Sequence, residues 1–61
     1  MNIFDNSIIQ GALRSAQFNR NAPAYAKQNT YAVLKRRIDR VQMTGDEYQQ
    51  VISAICRAME I

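Results

Sequence analysis

The side chains in this sequence that could take part in catalysis are five carboxylates, of which two are adjacent, and a single cysteine. Asp46 and Glu47 project about 100° apart if they lie on a helix, so they do not form a general acid–base pair. The chain has no histidine to serve as a base or zinc ligand, and its isolated glycines cannot form a phosphate-cradling loop. A chain of 61 residues is also too short to enclose an ordinary substrate. We therefore expect no enzymatic activity, no cofactor, no metal and no small-molecule substrate.

The cysteine, Cys56, has no intrachain partner, and a lone cysteine is typical of proteins from reducing compartments. It falls at the border of an apolar helical stripe, where we interpret it as a small hydrophobic side chain rather than as a reactive or dimer-linking thiol. The sequence opens on no signal peptide, and its apolar runs are too short to cross a membrane. We expect a soluble cytoplasmic protein.

A cluster of cations is the best candidate for a charged functional surface. The segment 21–42 has five cations and one carboxylate, a net charge of +4. Cations near the end of a helix commonly form a solvated face that favours the helix dipole, and Arg40 could pair with Asp46 or Glu47. The alternative is a ridge that contacts nucleic-acid phosphates or an acidic partner. The residues of this basic run are Lys35, Arg36, Arg37 and Arg40.

A helix-turn-helix interpretation is disfavoured, although three helices joined by short turns invite it. The N-terminus of a recognition helix normally enters the major groove, and here it would present Asp46 and Glu47 to the phosphates. No aromatic residues are interleaved with the arginines to stack on bases. Non-specific nucleic-acid contact through the second helix stays open.

The first predicted helix begins near Ile3 or Asn6 and ends near Phe18. Its apolar residues cover an arc of roughly 180°, which is wider than two short neighbouring helices need. Gly11 and Ser15 add a flat edge where another helix could approach closely. Tyr25 lies opposite the apolar stripe of the second helix and has no place in the core, unless the loop folds back to cover it. The candidate partner-binding residues are Phe4, Ile8, Ile9, Leu13 and Tyr25.

The second and third predicted helices form an antiparallel hairpin. The second spans Pro23 to Val41, or begins only near Asn29. The third begins at Gly45, because Thr44 and Glu47 make a capping box. A connection of two or three residues makes these helices antiparallel neighbours. The predicted fold is a single all-α domain over residues 1–61, with an amphipathic first helix lying across the hairpin.

The small size of the chain leads to a functional expectation. So short a chain has a core that supplies about 3–5 kcal/mol of net stability, and neither a disulfide nor a metal supplements it. We expect a small regulatory protein that acts by protein–protein binding, as a homodimer through the first helix or with another protein. The alternative is a nucleic-acid-binding protein that uses the basic run. Small accessory proteins of phages and other mobile elements share this profile, by analogy only.

Overall fold

The computed structural model describes residues 2–61 and shows the predicted all-helical fold. A short 3-10 turn, Ile3–Asp5, leads into three α-helices. The amide groups that open α1 are capped by the side chain of Asn6, which accepts hydrogen bonds from the backbone N–H groups of Ile8 and Ile9. The first helix therefore starts at the later of the two predicted positions. The helices are α1, Ser7–Phe18, α2, Ala24–Ile38, and α3, Gly45–Met59.

Helix α2 is continuous from Ala24, so the alternative start near Asn29 is wrong. It ends at Ile38 rather than at Val41, because the N–H groups of Arg40 and Val41 bond to carbonyls only three residues earlier. Such bonds tighten and end a helix. The connection to α3 consequently spans residues 39–44, longer than predicted, and it remains compatible with a hairpin.

Helix α3 begins as its capping box predicts. The Thr44 hydroxyl accepts from the Glu47 N–H at 3.1 Å, and the Glu47 carboxylate accepts from the Thr44 N–H at 2.9 Å. At the other end Glu60 adopts the left-handed conformation, with φ 57° and ψ 49°, and the N–H of Ile61 donates to the Cys56 carbonyl. Both ends of α3 are thus closed by local hydrogen bonds.

The core is built around α1, which packs more extensively against α2 and against α3 than those two helices pack against each other. Alanines on α1 allow this close approach on both sides. No helix within residues 2–61 has both the length and the apolarity needed to span a bilayer. The fully buried side chains are those of Ile9, Ala12, Ala16, Leu34, Ile38, Val51, Ile55 and Met59.

Candidate protein-binding surface

The rotation of α1 decides which of its apolar residues remain available to a partner. Ile9 has no exposed surface, so its prediction as a partner-binding residue is wrong. It occupies the middle of the face that α1 turns toward α2 and α3. Phe4 and Leu13 are half-buried and pack against the core, whereas Ile8 keeps 46% of its surface exposed.

A continuous open stripe runs along the side of α1 that includes Ile8. Residues 8, 11, 15 and 18 follow one another at intervals of three and four, which places them on one side of a helix. Phe18 is 92% exposed. A side chain built on Gly11 would meet no atom within 4 Å. We call Ile8, Gly11, Ser15 and Phe18 the α1 stripe. Phe18 was absent from the predicted partner-binding residues, although its spacing from Ile8 is visible in the sequence.

Ser15, one residue of the α1 stripe, lines a shallow groove between α1 and α2. Val33, 46% exposed, supplies the apolar part of the α2 wall. The Asn19 side chain donates to the Ser15 carbonyl at 2.8 Å and so closes one end of α1. We call the α1 stripe together with Val33 and Arg37 the α1–α2 face. The groove is lined by Ser15, Asn19, Asn29, Thr30, Val33 and Arg37.

Tyr25 is exposed but lies outside this groove. It retains 72% exposure in the first turn of α2, on the side opposite the buried Leu34. Phe18 is also exposed, so the loop between them does not fold back to cover either ring. Tyr25 is therefore an exposed aromatic residue outside the α1–α2 face, and it can be compared with Phe18, which lies within that face.

The basic run is divided between two grooves. Arg37 lines the groove between α1 and α2, whereas Lys35 lines a second depression with Tyr31 and Tyr48 of the α2–α3 side. All four cations of the run are exposed. They do not all lie on one side of α2, because residues 35 and 37 project about 160° apart on a helix.

None of these four cations forms a salt bridge with another described residue. Over residues 2–61 the only salt bridge joins Arg20 to Glu60 at 2.7 Å. The predicted pairing of Arg40 with Asp46 or Glu47 is wrong: no salt bridge joins them, and the Glu47 carboxylate is engaged in the helix cap.

Asp39, the carboxylate within the basic run, is associated with α3. The pKa of the Tyr48 phenol is raised, mainly because desolvation disfavours the phenolate and secondly because the Asp39 carboxylate is nearby. The negative charge of Asp39 therefore lies on the side of α2 that meets Tyr48. Arg37, in the α1–α2 groove, forms no salt bridge with a carboxylate over residues 2–61.

No protein-family model matches this chain, and no characterised protein or solved structure shows significant similarity to it.

Proposed function

We propose that this chain is a small, non-enzymatic, cytoplasmic regulatory protein that acts by binding another protein through the α1–α2 face. The observation that carries the proposal is the exposure of Phe18, 92%, on the same side of α1 as Ile8, 46%. Leaving such side chains in water forgoes about 1.5–3 kcal/mol each. A chain with so small a core gains most from covering them. The lone cysteine supports a reducing compartment.

A second copy of the chain is one partner that this face could accept. Gly11 and Ser15 leave the middle of the α1 stripe flat, so two copies of α1 could approach closely there. The burial of Ile9 leaves less apolar surface for a homodimer than the sequence predicted. We therefore propose self-association as a weak property of the same face.

Nucleic-acid binding is the second candidate function. It is favoured by one observation, the exposed and unpaired state of the basic run within the described part of the chain, residues 2–61. Such binding would depend on contacts between the cations and the nucleic-acid phosphates. Replacing Arg36 and Arg40 together should therefore weaken it equally for nucleic acids of any base sequence.

Capture from a lysate of the source organism, with and without nuclease, tests the proposal. Immobilised wild-type chain should retain a protein after nuclease treatment. The Phe18→Glu variant should lose that protein, because a charge replaces the exposed ring of the α1 stripe. The matched control is Tyr25→Glu, which places the same charge on another exposed aromatic position and should retain it.

Two outcomes contradict the proposal. Retention that disappears with nuclease would assign the function to nucleic acid. Equal retention by the two variants would show that the protein binds elsewhere. Circular dichroism of both variants confirms that neither change unfolds the domain.

A further inference from the structure

The chemistry of the α1–α2 face identifies the kind of partner that fits it. We propose that the face receives an acidic amphipathic helix of another protein, which lies in the groove between α1 and α2. This inference rests on the proposed function and specifies its partner. The juxtaposition that supports it is an exposed, partly apolar stripe beside an arginine that forms no salt bridge over residues 2–61.

The shape of the face suits a helix. Ile8 and Phe18, the two ends of the α1 stripe, are separated by about 15 Å along the helix, nearly three helical turns. Helix-in-groove recognition uses anchors at intervals of three, four and seven residues, the same intervals that the stripe presents. Gly11, open to solvent, and Ser15 let a helix backbone come close at the centre. The bulkier Ile8 and Phe18 would then contact its two ends.

The partner's apolar side is set by the residues that flank the groove. Val33 from α2 faces the groove opposite Ser15 from α1. A partner helix that inserts leucine or a similar side chain there covers the exposed surface of Val33 beside the small Ser15. The polar wall residues, Asn29 and Thr30, lie beside this apolar contact and can bond to polar groups at the partner's edge.

The arginines near the groove indicate that the partner helix should be acidic. Arg37 lies in the groove wall, and Arg36 and Arg40 are exposed on neighbouring positions. Over residues 2–61 none of the three forms a salt bridge, and the nearby Asp39 is turned toward Tyr48. Glutamates or aspartates along one edge of the partner helix would pair with these cations and set its orientation.

The apolar part of the face favours a protein over a nucleic acid. The exposed side chains of Ile8, Phe18 and Val33 are apolar and form no favourable contact with phosphates. They would remain exposed to water if a polyanion were bound. A nucleic acid would use the arginines alone and leave the α1 stripe in water. An acidic amphipathic helix uses both parts of the face at once.

Fluorescence anisotropy with defined probes tests the inference. The first probe is a labelled model peptide of about five helical turns, with leucines at heptad a and d positions and glutamates beside them. The second is a peptide of the same composition in scrambled order, and the third is a duplex DNA of similar length. The amphipathic peptide should bind at least tenfold more tightly than the scrambled peptide, a difference of about 1.4 kcal/mol.

Matched variants locate the binding. Val33→Glu and Arg37→Glu should each weaken binding of the amphipathic peptide at least tenfold. Ala32→Glu, on an exposed position next to Val33 that points away from the groove, and Arg57→Glu, on α3, should change it by less than about twofold. Circular dichroism of each variant verifies that helix content is preserved.

Several results would overturn the inference. Equal binding of the amphipathic and scrambled peptides would show attraction by charge alone. Tighter binding of DNA than of the amphipathic peptide would make the basic run a polyanion site. Binding that responds equally to Val33→Glu and Ala32→Glu would place the peptide elsewhere. If the peptide fails to bind while Phe18→Glu still abolishes nuclease-resistant capture, the partner class is wrong and the proposed function stands.

Discussion

Tyr48 makes the stability of the domain depend on pH in the alkaline range. Its folded-state pKa is raised above the ordinary value of 10.0, so the folded state favours the neutral phenol. The stabilisation is fully present below pH 10 and is lost as the pH rises through the folded-state pKa. We expect the free energy of unfolding, measured with urea at a series of alkaline pH values, to fall more steeply for the wild type than for Tyr48→Phe.

The control for this pH dependence is Tyr25→Phe. That residue is 72% exposed in the first turn of α2, at the opposite end of the helix from Asp39, so the substitution should leave the free energy of unfolding close to that of the wild type. Parallel profiles for wild type and Tyr48→Phe would contradict the assignment.

The sequence predicts the apolar arc of the first helix but not which of its side chains is buried. Ile8 and Ile9 both belong to the apolar arc of the first helix, and adjacent residues differ by about 100° in direction. The sequence does not indicate which of them faces inward. Ala12 lies within about 60° of both isoleucines and does not separate them. Ala16, also buried, lies about 20° from Ile9 and about 80° from Ile8, so the burial of Ala16 is consistent with Ile9 facing inward.

At the level of the helices, the capping box makes a measurable contribution. Thr44→Ala removes the hydroxyl that accepts from the Glu47 N–H, so it should destabilise the domain by about 0.5–2 kcal/mol. Urea denaturation measures the change. The same substitution inside a helix, Thr30→Ala in α2, loses no cap and should cost less. A midpoint for Thr44→Ala equal to that of the wild type would contradict a stabilising role for the cap.

Local signals explain which helix boundaries were predictable. The start of α3 depends on neighbouring residues, Thr44 and Glu47, and the sequence predicts it correctly. The end of α2 was predicted at Val41, because that residue continues the apolar period of Leu34 and Ile38. In the structure Val41 packs against the core from a turn. An apolar period alone does not distinguish a buried turn residue from a helical one.

At the level of the whole molecule, the fold class follows from composition and periodicity, but the packing order does not. The sequence predicts that α2 and α3 face each other and that α1 lies across them. In the structure α1 is the element that both others pack against most extensively. Ala12 and Ala16 are both buried on one face of α1, and their small side chains leave room for neighbouring helices to pack there. This placement leaves the α1 stripe uncovered.

The uncovered stripe leads to a prediction about self-association and salt. A typical stable interface buries about 800 Å² per partner, roughly 18% of the 4440 Å² surface of this chain. A stripe of about 15 Å in length is short for that purpose. Pairing two copies would also bring together chains of net charge +3, with Arg37 at the edge of each contact. We therefore expect weak self-association that becomes stronger when salt screens the repulsion.

Sedimentation equilibrium over a range of protein concentrations measures this effect. Between about 0.1 M and 1 M salt the Debye length falls from about 10 Å to about 3 Å, so the average mass should rise above the monomer value of 7.0 kDa. Phe18→Glu should remain monomeric, whereas Tyr25→Glu should associate like the wild type. Binding of an acidic helix to the same face should show the opposite salt dependence, because salt then screens an attraction. A dimer that salt dissociates would indicate pairing between the basic run of one copy and the acidic start of α3 of another, and would contradict association through the α1 stripe.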